Sequence, residues 1–137
     1  MSKAIVLSRV SSVGQDLSQQ TDEVLREARK DGYTNRNITI IEDVESAIKL
    51  SEEERHGLNK MKDHINKNPK IECVYIYELS RLSRRQLVLF SIRDFLVERK
   101  IQLICLKPYF RLLEFNGEMS QTGSLMFSLF SSLSESE

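Results

Sequence analysis

Two segments decide the fold of this chain: AIVLSRVSS at residues 4–12 and CVYIYELSRLSRR at residues 73–85. Each begins with an apolar run that is typical of a buried strand in a parallel sheet. Each run is followed directly by a polar segment that carries serine and arginine. Ligands bind at the carboxyl ends of the strands in open α/β sheets, so we expect both polar segments to lie at one functional site.

The rest of the chain predicts alternating strands and helices, which favours a doubly wound α/β protein. Apolar runs predict strands at residues 3–8, 37–42, 72–77 and 101–106. Apolar residues at helical spacing predict helices between them, at residues 17–30, 51–67 and 84–99. We therefore expect a three-layer fold around a mostly parallel central sheet.

Two segments fall outside this alternation. Residues 43–50 are polar and carry no strand or helix signal, so they predict a loop. Residues 109–115 predict either a short edge strand or an ordered loop. The apolar residues expected along the second and third helices are Leu58, Met61, Ile65, Leu87, Leu89, Phe90, Ile92, Phe95 and Leu96.

The composition is that of an ordinary globular domain, with 137 residues, 40% hydrophobic and 29% charged. This length suits one domain, residues 1–137, whose core needs neither disulfides nor metals. No apolar stretch reaches the about 18 residues of a membrane span and no signal peptide is evident, so we expect a cytoplasmic protein with no membrane partner. Cys73 and Cys105 lie in apolar runs, which predicts buried, reduced thiols.

The charge balance bears on the partner. The chain has 20 Lys and Arg against 20 Asp and Glu, whereas a protein that binds DNA through its own field usually has a basic excess. If DNA is the substrate, most of the affinity must come from a region outside this chain. The helical pattern of residues 124–137 also stops without Gly, Asn or Pro, so we expect a fragment of a longer protein.

Serine and arginine at the two strand ends favour chemistry on phosphate. Arginine stays charged, and its planar guanidinium binds phosphate through two hydrogen bonds. A serine hydroxyl among such groups can attack a phosphodiester, with each group stabilising the transition state by on the order of 3 kcal/mol. No carboxylate and histidine cluster has metal-site spacing, so the pattern favours metal-free transfer through phosphoserine, without a cofactor. The candidate arginines are Arg9, Arg55, Arg81 and Arg84.

At these residues the chain resembles the catalytic domain of the serine site-specific recombinases, the resolvase/invertase family, over essentially its whole length. The strand leading into RVSS with a glutamine-containing tail, residues 9–20, is similar to the family's opening. Residues 43–46 and 55–58 resemble its mobile loop and R-x-G-L helix, and residues 80–84 resemble its D-R-L-x-R motif. The resemblance implies a resolvase-like fold and DNA strand cleavage and exchange through a 5′-phosphoserine intermediate.

The resemblance also implies a role for each matching residue. Ser11 corresponds to the nucleophile, and the catalytic arginines correspond to Arg9, Arg55, Arg81 and Arg84. The polar residues implied to contact DNA near the site are Gln15, Gln20 and Ser46.

Position 80 departs from the family motif, which has an aspartate there for proton transfer or positioning. This chain has Ser80 instead. Glu78 lies two residues earlier on a predicted strand, so its side chain should share a face with Ser80 and could take over the role of the aspartate. A surface or core-edge position for Glu78 is the alternative.

Residues from about 119 to 137 are similar to the start of the family's long helix, where dimers and tetramers form and beyond which a DNA-binding domain follows. The resemblance thus implies DNA as the substrate and a homodimer and homotetramer built through this helix. From the residues alone, its apolar stripe either packs on its own domain or faces another subunit. That stripe comprises Leu125, Met126, Leu129, Phe130 and Leu133.

Two other functions fit the same residues. A hydrolase or phosphotransferase with the same strand-end serine would turn over soluble phosphate esters with no tie to DNA. A catalytically degenerate regulator of the same fold, suggested by Ser80, would dimerise on DNA without forming a covalent adduct.

Overall fold

A computed structural model gives the fold and describes the backbone of residues 2–11, 18–45 and 50–135, with the side chains of residues 2–8, 19–42 and 57–132. In chain order the elements are β1 (Lys3–Ser11), α1 (Ser18–Lys30), β2 (Ile38–Glu45), α2 (Leu50–Lys67), β3 (Ile71–Ile76), a 3₁₀ helix (Leu79–Arg81), α3 (Gln86–Glu98), β4 (Gln102–Leu106), β5 (Tyr109–Arg111) and α4 (Gln121–Glu135).

The five strands form one sheet in the order β2-β1-β3-β4-β5. The first four are parallel, and β5 pairs antiparallel with β4. This confirms the predicted mostly parallel α/β fold. Of the two alternatives for residues 109–115, the edge strand is the one that forms, over Tyr109–Arg111.

Helices cover both faces of the sheet, and each face has its own core. On one face α2, α3 and α4 pack together against the sheet, with Met61, Ile92 and Phe127 fully buried among them. On the other face Val24 and Ala28 of α1 pack against strand residues. Each fully buried aliphatic side chain contributes about 1.5–3 kcal/mol relative to exposure, so these two layers fix the sheet between the helices.

The first two strands run further than the apolar pattern predicted. The ladder between β1 and β2 continues from Ser8 opposite Glu42 to Ser11 opposite Glu45. The prediction that β1 ends at residue 8 and that residues 43–50 form a loop is therefore wrong for residues 43–45 and for Leu50, which begins α2. Ladder hydrogen bonds are made by the backbone, so polar residues can extend a strand beyond its apolar run. Residues 46–49 lie outside the described part of the chain.

The apolar residues predicted along α3 differ in burial. Leu89, Ile92 and Leu96 are fully buried, whereas Leu87 is 83% exposed. The three buried residues recur at the spacing of three to four residues that marks one helix face, and Leu87 lies off that face. Leu87 therefore belongs to the apolar run of the helix but not to the core.

Helix α4 presents two different faces. Gly123, Phe127 and Ser131 recur every four residues and are buried against the domain. A Cβ added at Gly123 would lie 2.9 Å from the Cα of Leu112, so the helix backbone packs directly on the chain that follows β5. Leu125 and Leu129 are about half exposed, at 53% and 49%. The helix therefore packs on its own domain and still keeps an apolar face outward.

None of the described helices is both long enough and apolar enough to span a membrane.

Candidate active site

The carboxyl ends of the strands bring the two deciding segments together. β1 pairs with β3 as far as Val6 and Tyr75, and then continues alongside β2 to Ser11. At about 3.3 Å per residue, the Cα of Ser11 lies about 10 Å beyond that of Ser8 along β1. The backbone of Arg9 pairs with that of Asp43. The side chains of Arg9 and Ser11 lie outside the described part.

Arg81 is the centre of a polar network at this edge. Its Nη2 donates a hydrogen bond of 2.9 Å to Oε1 of Gln20, on α1. The same nitrogen lies 3.2 Å from Oε1 of Glu78, and the Arg81 side chain is 13% exposed. A largely buried guanidinium held by two acceptors from different elements has a restricted orientation, which suits recognition of a planar or tetrahedral anion.

Glu78 and Ser80 do meet, but for a reason different from the predicted one. β3 ends at Ile76, and the two residues lie at the 3₁₀ helix rather than on a strand. Ser80 Oγ donates a hydrogen bond of 2.9 Å to Oε1 of Glu78, and Ser80 is buried. The prediction that strand alternation aligns them is therefore wrong, because the tight turn of the 3₁₀ helix makes the contact. Glu78 thus accepts from both Ser80 and Arg81.

Three residues in this region were missed or underrated by sequence reasoning. Ser8 Oγ and Thr21 Oγ1 share a hydrogen bond of 2.6 Å, which ties β1 to α1 beside Gln20. Tyr77, counted only as part of a buried strand, lines a crevice with Ser8, Thr21 and Arg81. The crevice has a volume of about 10 Å³, enough for about one water. The only signal in the sequence was a hydroxyl inside an otherwise apolar strand.

The other predicted residues are placed as follows. Arg84 is exposed, and in the described part it makes no hydrogen bond or ion pair with the Arg81 network. The backbone of Arg55 is in α2, and its side chain lies outside the described part. Gln15 and Ser46 lie wholly outside it. The structure therefore joins Gln20, Glu78, Ser80 and Arg81, and does not join Arg84 to them.

Both cysteines are buried free thiols, as predicted. Burial disfavours the charged thiolate and raises the pKa of Cys73 and of Cys105 to about 12. Such thiols stay neutral and unreactive near neutral pH. Among the residues that the structure describes, no group of three or more His, Cys, Asp or Glu side chains is arranged to hold a metal ion.

These thiols predict a loss of stability at alkaline pH. In the unfolded chain they ionise near pH 9, but in the folded protein only near pH 12, so their stabilising contribution is complete below pH 9 and is lost between pH 9 and 12. The free energy of unfolding should fall there by about 1.4 kcal/mol per pH unit for each thiol. Urea unfolding over this range measures the slope, and Cys105→Ala should make it shallower. An unchanged slope in that variant would contradict the assignment.

The fold and the network together define an α/β domain with an oriented arginine at the carboxyl edge of its central strands. A family model described as "Resolvase, N terminal domain" matches residues 4–137, and the chain belongs to this family. No curated protein matches the chain.

Two solved structures are similar to it. The N-terminal catalytic domain of TP901-1 integrase shares 20% identity with a TM-score of 0.62, covering 97% of this chain and 95% of that one. A resolvase family site-specific recombinase from Streptococcus pneumoniae shares 22% identity with a TM-score of 0.64, covering 98% and 87%. At these identities the likeness is one of fold. It confirms the resolvase-like architecture predicted from the sequence.

Proposed function

We propose that this chain is the catalytic domain of a site-specific DNA recombinase that acts through a phosphoserine on Ser11. The observation that carries the proposal is the Gln20–Arg81–Glu78 network, which lies beside Ser8 of β1. It places an oriented guanidinium beside the strand that carries Ser11, in a chain that belongs to the resolvase family. The similar solved structures, an integrase domain and a site-specific recombinase, support the same reaction.

In the proposed reaction, one phosphoester bond forms for each phosphoester bond that breaks. Ser11 Oγ attacks a DNA phosphate, its bond to phosphorus forms, and the bond from phosphorus to the 3′ oxygen breaks. The 3′ oxygen leaves as a hydroxyl with the proton that Ser11 gives up, and the 5′ phosphate stays on the serine. After the strands are exchanged, a 3′ hydroxyl attacks the phosphoserine and restores Ser11. The ester keeps the bond energy, so neither ATP nor another cofactor takes part.

The arginines neutralise the phosphate during this attack. Arg81 contributes through the fixed orientation that Gln20 and Glu78 give it, while Arg9, Arg55 and Arg84 supply further positive charge. Groups that meet the charge developing in a transition state contribute about 3–4 kcal/mol each, so several such groups account for much of the acceleration.

The assembly follows from α4 and from the family. We infer that residues 1–137 form the catalytic domain and that residues from about 119 onward begin the oligomerisation helix. The exposed Leu125 and Leu129 would meet another copy in a homodimer and homotetramer. Gln15, Gln20 and Ser46 would contact DNA, and a separate DNA-binding domain would supply the affinity that the neutral charge does not. The site of action would be the cytoplasm.

We further propose that the Glu78 carboxylate, paired with Ser80, takes the place of the family's aspartate. Glu78→Gln should lower the rate of adduct formation about 100-fold if the group moves or positions a proton. Ser80→Asp in that background should restore much of the rate, because it returns a carboxylate to position 80. Quenched-flow measurement of the adduct gives both rates. Unchanged cleavage by Glu78→Gln would contradict the role, and Ser80→Ala is the control for the lost hydrogen bond alone.

A second candidate, a catalytically degenerate regulator on DNA, is favoured by one observation, the Ser80 in place of aspartate. It requires the fold, the dimer and DNA binding, but no covalent step.

Covalent trapping separates the two functions. The protein as its gene encodes it is incubated with supercoiled DNA that carries the surrounding genomic region, and the reaction is quenched with denaturant. The recombinase proposal predicts protein attached to 5′ ends, with the phosphate located on Ser11 by mass spectrometry. DNA binding without any adduct on that substrate would support the regulator.

A further inference from the structure

The β4–β5 hairpin places aromatic and basic side chains on one face of the sheet, with Arg111 opposite Ile104 and thus nearer the amino ends of the parallel strands than Tyr109. Tyr77 follows β3 and neighbours Leu106, since Lys107 N donates to Tyr77 O at 2.8 Å. Leu106 pairs with Tyr109 across the hairpin. Arg111 lies two residues beyond Tyr109 on β5, so it shares the same sheet face. We call Tyr77, Leu106, Tyr109 and Arg111 the hairpin strip.

The strip lies on the α1 face of the sheet and is open to solvent at β5. Tyr77 and Leu106 pack at the margin of the α1 core, whereas Phe110 points into the opposite core. α1 itself packs over β1 and β3. Tyr109 is 51% exposed and Arg111 is exposed. In the part of the chain that the structure describes, the hairpin therefore offers an aromatic ring and a guanidinium outward.

The guanidinium of Arg111 is oriented by a neutral hydroxyl, and the charge of Asp31 acts on it from beyond ion-pair distance. Its Nε donates a hydrogen bond of 3.2 Å to the hydroxyl of Tyr109, which raises the pKa of Arg111 further. No carboxylate of the described residues lies within ion-pair distance of it. With Nε occupied, the two terminal nitrogens remain to bind a phosphate by a pair of hydrogen bonds.

We propose that the hairpin strip binds the DNA strand beside the phosphate that Ser11 attacks, an inference that rests on the proposed function. The strip meets the candidate site at Tyr77, which lines the same crevice as Arg81, while Arg111 at its other end lines a separate cavity with Gln102 and Glu114. With strands about 4.8 Å apart, Tyr77 and Tyr109 are separated by about 10 Å. That distance spans about three nucleotides at 3.4 Å per charge along one strand. An aromatic ring beside an arginine can stack on a base and bind a phosphate of the same nucleic-acid strand.

The matched control comes from the same hairpin. Lys107 is exposed and carries the same charge as Arg111, but it lines a cavity on the opposite face of the sheet, with Glu78 as well as Met126 and Phe130 of α4. Arg111→Gln and Lys107→Gln therefore remove equal charge from opposite sides of one turn. Both side chains are exposed, so neither change should unfold the domain, and a thermal melt checks this.

The test is DNA binding in the Ser11→Ala background, where no strand is cut. Fluorescence anisotropy with a labelled mixed-sequence duplex, and with one of its single strands, gives the dissociation constant at several salt concentrations. Arg111→Gln should reduce the salt slope by about 0.9 on duplex, or about 0.7 on single strand, with Lys107→Gln unchanged. Tyr109→Ala should weaken single-strand binding about fivefold or more if a base stacks on the ring, and Tyr109→Phe should retain it.

Each outcome decides for or against the strip. The proposal is overturned if Arg111→Gln has the same salt slope as the Ser11→Ala parent, or if Arg111→Gln and Lys107→Gln weaken DNA binding equally. It is also overturned if the protein does not bind DNA. The assay needs no chemistry, so it is separable from the recombinase proposal. If the protein with Ser11 intact forms no adduct and Arg111→Gln still changes the slope, the strip binds DNA in the regulator and not in a recombinase.

Discussion

Replacing Ser11 by alanine is expected to abolish covalent attachment to DNA while DNA binding persists. The proposed intermediate is an ester of this hydroxyl, so without it no other step can form the link. Removal of a catalytic nucleophile typically costs about 10⁶-fold in rate, which puts the variant below detection. Denaturing gels of quenched reactions with supercoiled DNA measure the adduct directly.

Two controls make the Ser11 result specific. Thermal unfolding should show that the variant retains its stability, since a small hydroxyl near a strand end contributes little to it. Ser11→Cys keeps a nucleophilic atom at the same position, so it tests whether any nucleophile there suffices or whether the hydroxyl itself is required. An adduct that survives in Ser11→Ala, or one that mass spectrometry places on Ser12, would refute Ser11 as the nucleophile.

The sheet could be predicted from the sequence because its strands bury both faces. Continuous apolar runs such as residues 4–7 have few other stable places in a folded chain. Strand ends were harder, since β1 and β2 extend to Ser11 and Glu45 through polar residues. Backbone hydrogen bonding determines where those strands end, and the polarity of the side chains does not predict it. Leu87 shows the converse case, in which an apolar residue at a helix start is exposed.

The candidate site was predictable in part. The strand-end position of Arg81 predicted a place near β1, and in the structure Arg81 lies beside Ser8 and hydrogen-bonds Gln20, which the family resemblance had selected as a DNA contact. The contact between Glu78 and Ser80 was expected from strand geometry and is made by a 3₁₀ helix instead. The Ser8–Thr21 hydrogen bond joins residues 13 apart through the packing of α1 on the sheet. Such contacts depend on three-dimensional packing that local patterns do not encode.

Phe127→Ala is expected to lower the free energy of unfolding by about 3–5 kcal/mol. The ring is fully buried and meets Phe110 edge to face, with centroids 6.3 Å apart. Removing it leaves a cavity between α4, α3 and β5 that the rigid neighbours fill poorly. Because domains of this size are stable by only about 5–15 kcal/mol, the loss is a large share of the total. Urea unfolding followed by circular dichroism measures it.

Comparing Phe127→Ala with Leu125→Ala separates the buried face of α4 from its exposed face. Leu125 is two residues earlier on the same helix and 53% exposed, so its replacement should change the stability of the isolated domain by within about 0.5 kcal/mol. The buried stripe of Gly123, Phe127 and Ser131 holds α4 to its own domain, which leaves Leu125 and Leu129 exposed for the proposed contact with another copy. A loss below about 1 kcal/mol for Phe127→Ala would show that α4 is not anchored this way. The apolar stripe would then have to be assigned entirely to a partner.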